Sequence, residues 1–394
     1  MIQFAEYAFY ISLIVFAGFY AAYYLICYFY KQKPKEKICA SSYKKTELPK
    51  VTLIVPVFNE NRILEKKIMN LQKLVFPKDK LEIIFVDGGS TDGSLETIKD
   101  AMKRVNLNIK LIEQGRRMGF NKAVIDGFNK STGDIIFIPG AETMYTPDTL
   151  KYMVQPFLDE RIGAVNGRQI IENLNDGLSP KLEHAYRRAQ DFLREGEDNM
   201  DTLFDVKGEI VAGRRVICEK LVNKSEFRNK GCIDACFFFQ ARKDGYFTVY
   251  EPNAVYYELS PRSFKASFKQ RHRRAATLIQ NMLIFKEMMF NKEYGLFGKL
   301  IMPAHFLMLI VLPYLFFSGL ISFLILQVAY FPNYIYLAML ALGAALLFFS
   351  KTFQIFCQLQ LVLVASHLKM LMGVETQKFE KIESARPSME ENKN

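Results

Sequence analysis

The chain has 394 residues, half of them hydrophobic, with a formal net charge of +11, six cysteines and no tryptophan. That length allows one large domain or two ordinary ones, and the charge suits a protein that meets anionic lipid and phosphate. No nucleic-acid module has its fingerprint here, which sets nucleic acid aside as a partner, and the scattered cysteines, Cys232 and Cys236 being the nearest pair, match neither redox nor zinc spacing and read as free thiols.

The first element is an uncharged tract, residues 7–30, long enough to cross a hydrocarbon core of about 30 Å at ~1.5 Å per residue. It exceeds a signal-peptide core, and lysines at 31, 33, 35 and 37 follow in place of a cleavage site. It therefore reads as a retained transmembrane helix with the next segment on the cytoplasmic side.

Residues 50–260 alternate strand-like and helix-like patterns. VTLIVPVF, LEIIFVD, NIKLIE and DIIFI read as strands; Asn61–Lys73, Asp92–Arg104 and NKAVIDGFNKS read as the helices between them. Apolar strands separated by helices imply an α/β domain, a mainly parallel sheet covered by helices, whose ligands gather beyond the carboxyl ends of the strands. Asn59 and Glu60 follow the first strand, Asp87 ends the second and Glu142 follows the fourth. Asp92 is the expected N-cap of the helix it precedes. Residues 261–292 form an amphipathic helix, basic in its first half, suited to a membrane interface. Residues 300–350 hold two uncharged runs and read as a transmembrane hairpin, with prolines that membrane helices tolerate. The segment 352–373, interrupted by polar residues, spans or lies in the interface, and 374–394 is a polar tail.

Five segments in order resemble the family 2 glycosyltransferases of GT-A fold. VPVFNE (55–60) resembles V-P-x-Y-N-E, and VDGGSTDGS (86–94) resembles V-D-[DG]-G-S-T-D-G. TGDIIFIPGAET (132–143) resembles the segment ending in D-A-D-T, with Gly140 and Glu142 at the two acidic places. GCIDACFFFQARKDGY (231–246) resembles the segment whose Glu-Asp or Asp-Asp pair supplies the base, where Asp234 remains and Ile233 takes the first place. KQRHRRA (269–275) resembles Q-x-x-R-W, with Arg274 at the tryptophan.

The resemblance implies a membrane-integral, inverting enzyme, a hexosyl- or N-acetylhexosaminyl-transferase with a cytoplasmic catalytic domain in a multi-pass chain. It would move sugar from a nucleotide-sugar, UDP-linked by expectation, to a saccharide or lipid-linked acceptor at the bilayer, as polysaccharide synthases do. Transfer of a single sugar to polyprenyl phosphate is the close alternative, and a non-catalytic nucleotide-sugar-binding scaffold is the alternative of another class. Displacing a nucleoside diphosphate needs a hold on the base, cations for the pyrophosphate and a carboxylate for the acceptor's proton. The resemblance gives those roles to Pro56, Asn59, Glu60, Asp87 and Arg117 around the nucleotide, with Arg116 beside them, and to Gln270, Arg273 and Arg274 as the leaving-group clamp. Asp234 is the expected base. Glu142 is the expected ligand of Mg²⁺ or Mn²⁺, because such an ion can be held by one or two carboxylates with substrate phosphates and water. The histidines show no ligand spacing; His184 is expected on a surface helix.

Overall fold

The computed structural model describes residues 2–33, 48–228, 230–331 and 333–371. Lys35 and Lys37, the end of the 352–373 segment and the 374–394 tail lie outside the described residues. The first helix, α1, runs Ile2–Lys31. Then follow β1 (Val51–Val57), α2 (Asn61–Gln72), β2 (Leu81–Asp87), α3 (Ser94–Arg104), β3 (Asn108–Glu113), α4 (Phe120–Lys130) and β4 (Ile135–Phe137). These match the expected strands and helices within a residue or two; β1, β2 and β4 are apolar runs buried between helices, and β3 is the half-exposed edge strand.

Beyond β4 the chain departs from the simple alternation. It adds β5 (Met144–Tyr145), α5 (Thr149–Val154), β6 (Ile162–Ile171), α6 (Leu178–Met200), β7 (Val211–Arg214), α7 (Arg215–Val222), α8 (Phe237–Lys243) and β8 (Phe247–Glu258). The eight-stranded order is β3-β2-β1-β4-β7-β6-β8-β5. The half built from β1 to β4 is parallel, whereas β7 pairs antiparallel with both β4 and β6, and β5 pairs antiparallel with β8. The sheet is therefore mixed.

The chain winds outward from β1 to β3 and then returns to β4 on the other side of β1, so a switch point lies between β1 and β4. Phe137 pairs with Leu53, after which the chain leaves β1, whose last residue Val57 still pairs with Asp87. The notch left beside the end of β1 opens the cleft described below.

Two helices, Ile2–Lys31 and Phe297–Ala329, are long and apolar enough to cross a membrane. They lie against each other through Phe16–Phe316 and Phe9–Phe323 ring contacts. The second leg of the expected hairpin falls on a shorter helix. Tyr334–Phe349 has 16 residues, about 24 Å at ~1.5 Å per residue, short of a hydrocarbon core of about 30 Å. It meets the following helix, Lys351–Leu371, at 96°. That last helix docks on the sheet domain's side of the chain, where Gln358 accepts from Arg271 and Ser366 Oγ donates to His272 O at 3.2 Å.

A buried carboxylate ties both long apolar helices to the sheet domain. Glu197 on α6 accepts from Tyr23 Oη of α1 at 2.7 Å, pairs with His305 Nε2 of Phe297–Ala329 at 2.6 Å and accepts from Phe204 N at 3.1 Å. The ring of His305 stacks on Phe204 at 4.1 Å. Glu197→Ala leaves all these groups buried without their partner, so thermal unfolding in detergent is expected to show a loss on the order of 3 kcal/mol. An unchanged midpoint would mean that the helices are held by apolar packing alone.

Candidate active site

A cleft of about 320 Å³ opens at the carboxyl ends of the central strands. One wall comes from Pro56, Phe58 and Glu60 after β1, together with Gly88 after β2. Local geometry fixes this wall. Asn59 adopts φ 56°, a left-handed conformation that asparagine tolerates. Its N–H donates to Ser90 Oγ at 2.9 Å, and its Oδ1 accepts from Thr91 N at 2.8 Å. Gly89 has φ 79°, and a Cβ there would lie 2.9 Å from the Arg116 backbone, so only glycine allows the loops to touch. Asp87 Oδ2 accepts from Gly89 N and Ser90 N, both at 3.0 Å, while its buried Oδ1 has no partner. Neither Asn59 nor Asp87 lines the cleft. Asn59 shapes the loop, and Asp87 closes its own turn with one oxygen.

Asp92 differs from the expected simple cap. Its Oδ1 accepts from Ser94 N and Ser94 Oγ, and its Oδ2 accepts from Asn61 N, so one carboxylate serves the starts of both α3 and α2. The wall continues with Arg117, whose guanidinium stacks over Phe58 at 4.4 Å.

On the opposite side stand Lys207, Gly208, Glu209, Cys232 and Asp234. Asp234 opens the 3₁₀ turn before α8, and its Oδ1 accepts from Ala235 N at 2.7 Å. A Cβ on Gly208 would lie 2.1 Å from Asp234 Oδ2, so the absent side chain is what lets the carboxyl lie against that backbone. Burial pushes Asp234 up to about 6; a hydrogen bond with the Cys232 thiol opposes the rise and the Glu209 charge adds to it. The group is thus ionised at neutral pH yet basic enough to accept a proton.

The loop of the missing acid is held from below. Lys67 of α2 is fully buried, donating to Thr143 O at 2.8 Å and lying over the Tyr145 ring at 4.2 Å. Asn70, three residues on, exchanges hydrogen bonds with Tyr145 N and O. Glu142 lines the cleft and folds back: its Oε2 lies 3.0 Å from where a Cβ of residue 140 would sit. Its carboxylate thus crowds the place where a side chain at 140 would begin. Among the described residues, no three Asp, Glu, His or Cys side chains converge as a metal cage. One carboxylate facing an open cleft fits an oxygen-seeking divalent ion completed by substrate phosphates.

The roof is α9, Phe264–Ile284, started by Ser263 Oγ accepting from Ala266 N. Its cleft face carries Gln270, Arg273, Arg274, Thr277, Leu278 and Asn281, at helical spacing. Arg274 lies in a cage of carboxylates, with Glu209 at 3.1 Å, Glu258 at 3.5 Å and Glu183 at 3.8 Å, which hold the roof down. Burial opposes the Arg274 charge, but Glu209, Glu258 and Glu183 outweigh it and raise its pKa. Burial also works against the Glu183 charge, yet Arg187, Arg271 and Arg274 hold that carboxyl at about 2. Glu258, also a partner of Gln169, is pushed up by burial to about 7.

Pro56, Glu60, Arg117, Glu142, Asp234, Gln270, Arg273 and Arg274 therefore share one cleft. Sequence reasoning missed Lys207, Glu209, Glu258, Asn281 and the buried Glu183. Glu258 ends a strand, a signal available had β8 been recognised; Glu209 lies in an irregular loop that carries no such signal. His184 is on α6, half-buried.

Residues 52–222 match the family described as glycosyl transferase family 2. The probable glycosyltransferase YdaM of Bacillus subtilis is 26% identical over 232 residues, 58% of this chain and 54% of the relative. The poly-beta-1,6-N-acetyl-D-glucosamine synthase of Staphylococcus epidermidis is 22% identical over 254 residues, 62% of this chain and 58% of that relative. This chain thus spans little more than half the length of these curated relatives. Among solved structures, the mannosyltransferase PcManGT of Pyrobaculum calidifontis, in complex with GDP-Man and Mn²⁺, superposes with a TM-score of 0.80 at 24% identity. The superposition covers 94% of this chain and 99% of that one, and the fold is shared.

Removing the guanidinium from the cage leaves three carboxylates facing one another in a buried place. Arg274→Ala is expected to lower stability by about 3–5 kcal/mol, read by denaturant or thermal unfolding, with Arg274→Lys recovering part of the loss. A full-stability alanine variant would show that the cage does not anchor α9.

Proposed function

We propose that this chain, which carries a family 2 glycosyltransferase domain, is an inverting transferase. It moves a sugar from a nucleotide-sugar to a saccharide or lipid-linked acceptor at a membrane. The observation that carries the reading is Asp234: a buried carboxyl raised to about 6, in the same cleft as Glu142 and the Gln270–Arg273 face of α9. An inactive remnant has no need to keep a poised base opposite cations.

Asp234 accepts the proton of the acceptor hydroxyl as its oxygen bonds to the anomeric carbon. The bond from that carbon to the diphosphate breaks on the other face, and the nucleoside diphosphate leaves with the electron pair. Arg273 and Gln270 bind the departing oxygens, the guanidinium fork suiting them geometrically. Asp87, with its unpartnered Oδ1, and the Phe58–Arg117 stack are assigned to the nucleoside end. Glu142 would hold Mg²⁺ or Mn²⁺, which when bound would supply positive charge beside the leaving diphosphate. UDP-linked sugars are the first donors to test and GDP-linked sugars the second. The catalytic unit faces the cytoplasm in a multi-pass chain. The two apolar helices bonded to α6 through Glu197 support an acceptor presented at the bilayer.

Two outcomes follow for the full chain in detergent or lipid. kcat/KM is expected to rise with pH through an acid limb near 6, because the base works only when deprotonated. Asp234→Asn should lose at least ~100-fold in turnover with nucleotide affinity intact; a pH-flat profile would remove Asp234 from the base role. Glu142→Ala should abolish the gain in UDP or GDP affinity that Mn²⁺ produces, measured by calorimetry against EDTA. A gain that survives the substitution places the ion elsewhere.

A further inference from the structure

The loop that delivers Asp234, residues 231–234, is pinned by two buried asparagines from opposite sides. Asn121 of α4 uses its whole amide: Nδ2 donates to Phe227 O at 2.9 Å and Gly231 O at 3.2 Å, and Oδ1 accepts from Ile233 N at 3.2 Å. Asn281 of α9, 0% exposed, uses half of its amide. Its Oδ1 accepts from Cys232 N at 2.9 Å, while its Nδ2 has no partner. The orientation of this amide is fixed chemically, since only the oxygen can accept from a backbone N–H. Buried amide donors are almost always satisfied, and an orphan among them asks for an explanation.

The position of the two residues supplies one. Asn121 does not line the cleft; Asn281 does, beside Cys232 and Asp234 and on the α9 face that carries Gln270, Arg273 and Thr277. The same helical face thus extends the Gln-x-x-Arg-Arg segment by two turns, ending in a donor with nothing to donate to.

We propose that Asn281 is a further substrate-binding residue, in which Nδ2 donates to an oxygen of a bound substrate while Oδ1 keeps the Asp234 loop in register. The inference rests on the transferase reading above. That oxygen has two sources, the diphosphate of the donor or the nucleophilic hydroxyl or phosphate of the acceptor, and both offer the same lone pairs to an amide N–H. Binding there satisfies the orphan donor and couples substrate arrival to the backbone two residues before the base.

The test uses the full chain and Asn281→Asp, which keeps an oxygen for Cys232 N and removes the donor, with Asn281→Ala removing both. UDP and GDP affinities are measured by calorimetry, and unfolding is followed thermally. Nucleotide release is measured in native membranes, which bring their own acceptors, from UDP-N-acetylglucosamine or GDP-mannose. With the unfolding midpoint held, a tenfold or larger loss of nucleotide affinity in Asn281→Asp assigns the oxygen to the donor. Unchanged affinity with release reduced tenfold or more assigns it to the acceptor. Asn281→Asp matching wild type in both readings overturns the proposal and leaves Asn281 as a loop pin. If that variant does not fold, Asn281→Leu, which keeps the bulk and lacks the donor, is read by the same criteria. A wild-type chain that binds neither UDP nor GDP sinks the transferase reading itself, a different failure from the one above.

Discussion

Everything in the cleft depends on how α9 is held over it, and that is settled by Arg274. Three carboxylates converge on its guanidinium from three separate elements: Glu183 from α6, Glu209 from the loop before β7 and Glu258 from the end of β8. Buried carboxylates so placed tolerate one another only around a cation, and breaking such a network is far more damaging than never having built it. The neighbouring Arg271 extends the clamp to Glu183 at 2.8 Å and to Gln358 of the last helix. With the roof fixed in this way, Gln270 and Arg273 face the cleft, and Asn281 reaches the loop that carries Asp234.

The first half of the fold was legible because its signals are local. Apolar runs between amphipathic stretches specify buried parallel strands, and β1 and β2 fall where VTLIVPV and LEIIFVD stand, while the alternating NIKLIE is the half-exposed edge strand β3. The second half was not, because β5 is two residues long, β7 is four, and the β6–β8 pairing carries irregular register. The site divides along the same line. Residues at strand ends or in a helical period, such as Glu60, Glu142 and Gln270, were recognisable. Arg274 was recognised as part of the site but not its carboxylate partners, since nothing in KQRHRRA shows that Glu183, Glu209 and Glu258 meet there. His305 had no sequence context at all; its partner Glu197 lies 108 positions away.

The segment GAET places a single acid, Glu142, at the cleft. Gly140 has no side chain, and the longer Glu142 turns back to crowd the vacated space, on a loop that Lys67 and Asn70 hold from α2. The loop's geometry is therefore set by a buried lysine and an asparagine beneath it and not by a second carboxylate above. The same economy appears at Gly208, where a missing side chain makes room for the Asp234 carboxyl. Two absences thus shape the acidic side of the cleft.

The central claim is that this cleft carries out sugar transfer with inversion through Asp234. The most direct measurement is the anomeric configuration of the product, read by NMR from the purified full chain in lipid with a nucleotide-sugar of known configuration. The account predicts a product of inverted configuration from the first turnover onward. A product that retains the donor's configuration would contradict it, because a single displacement assisted by one base cannot retain.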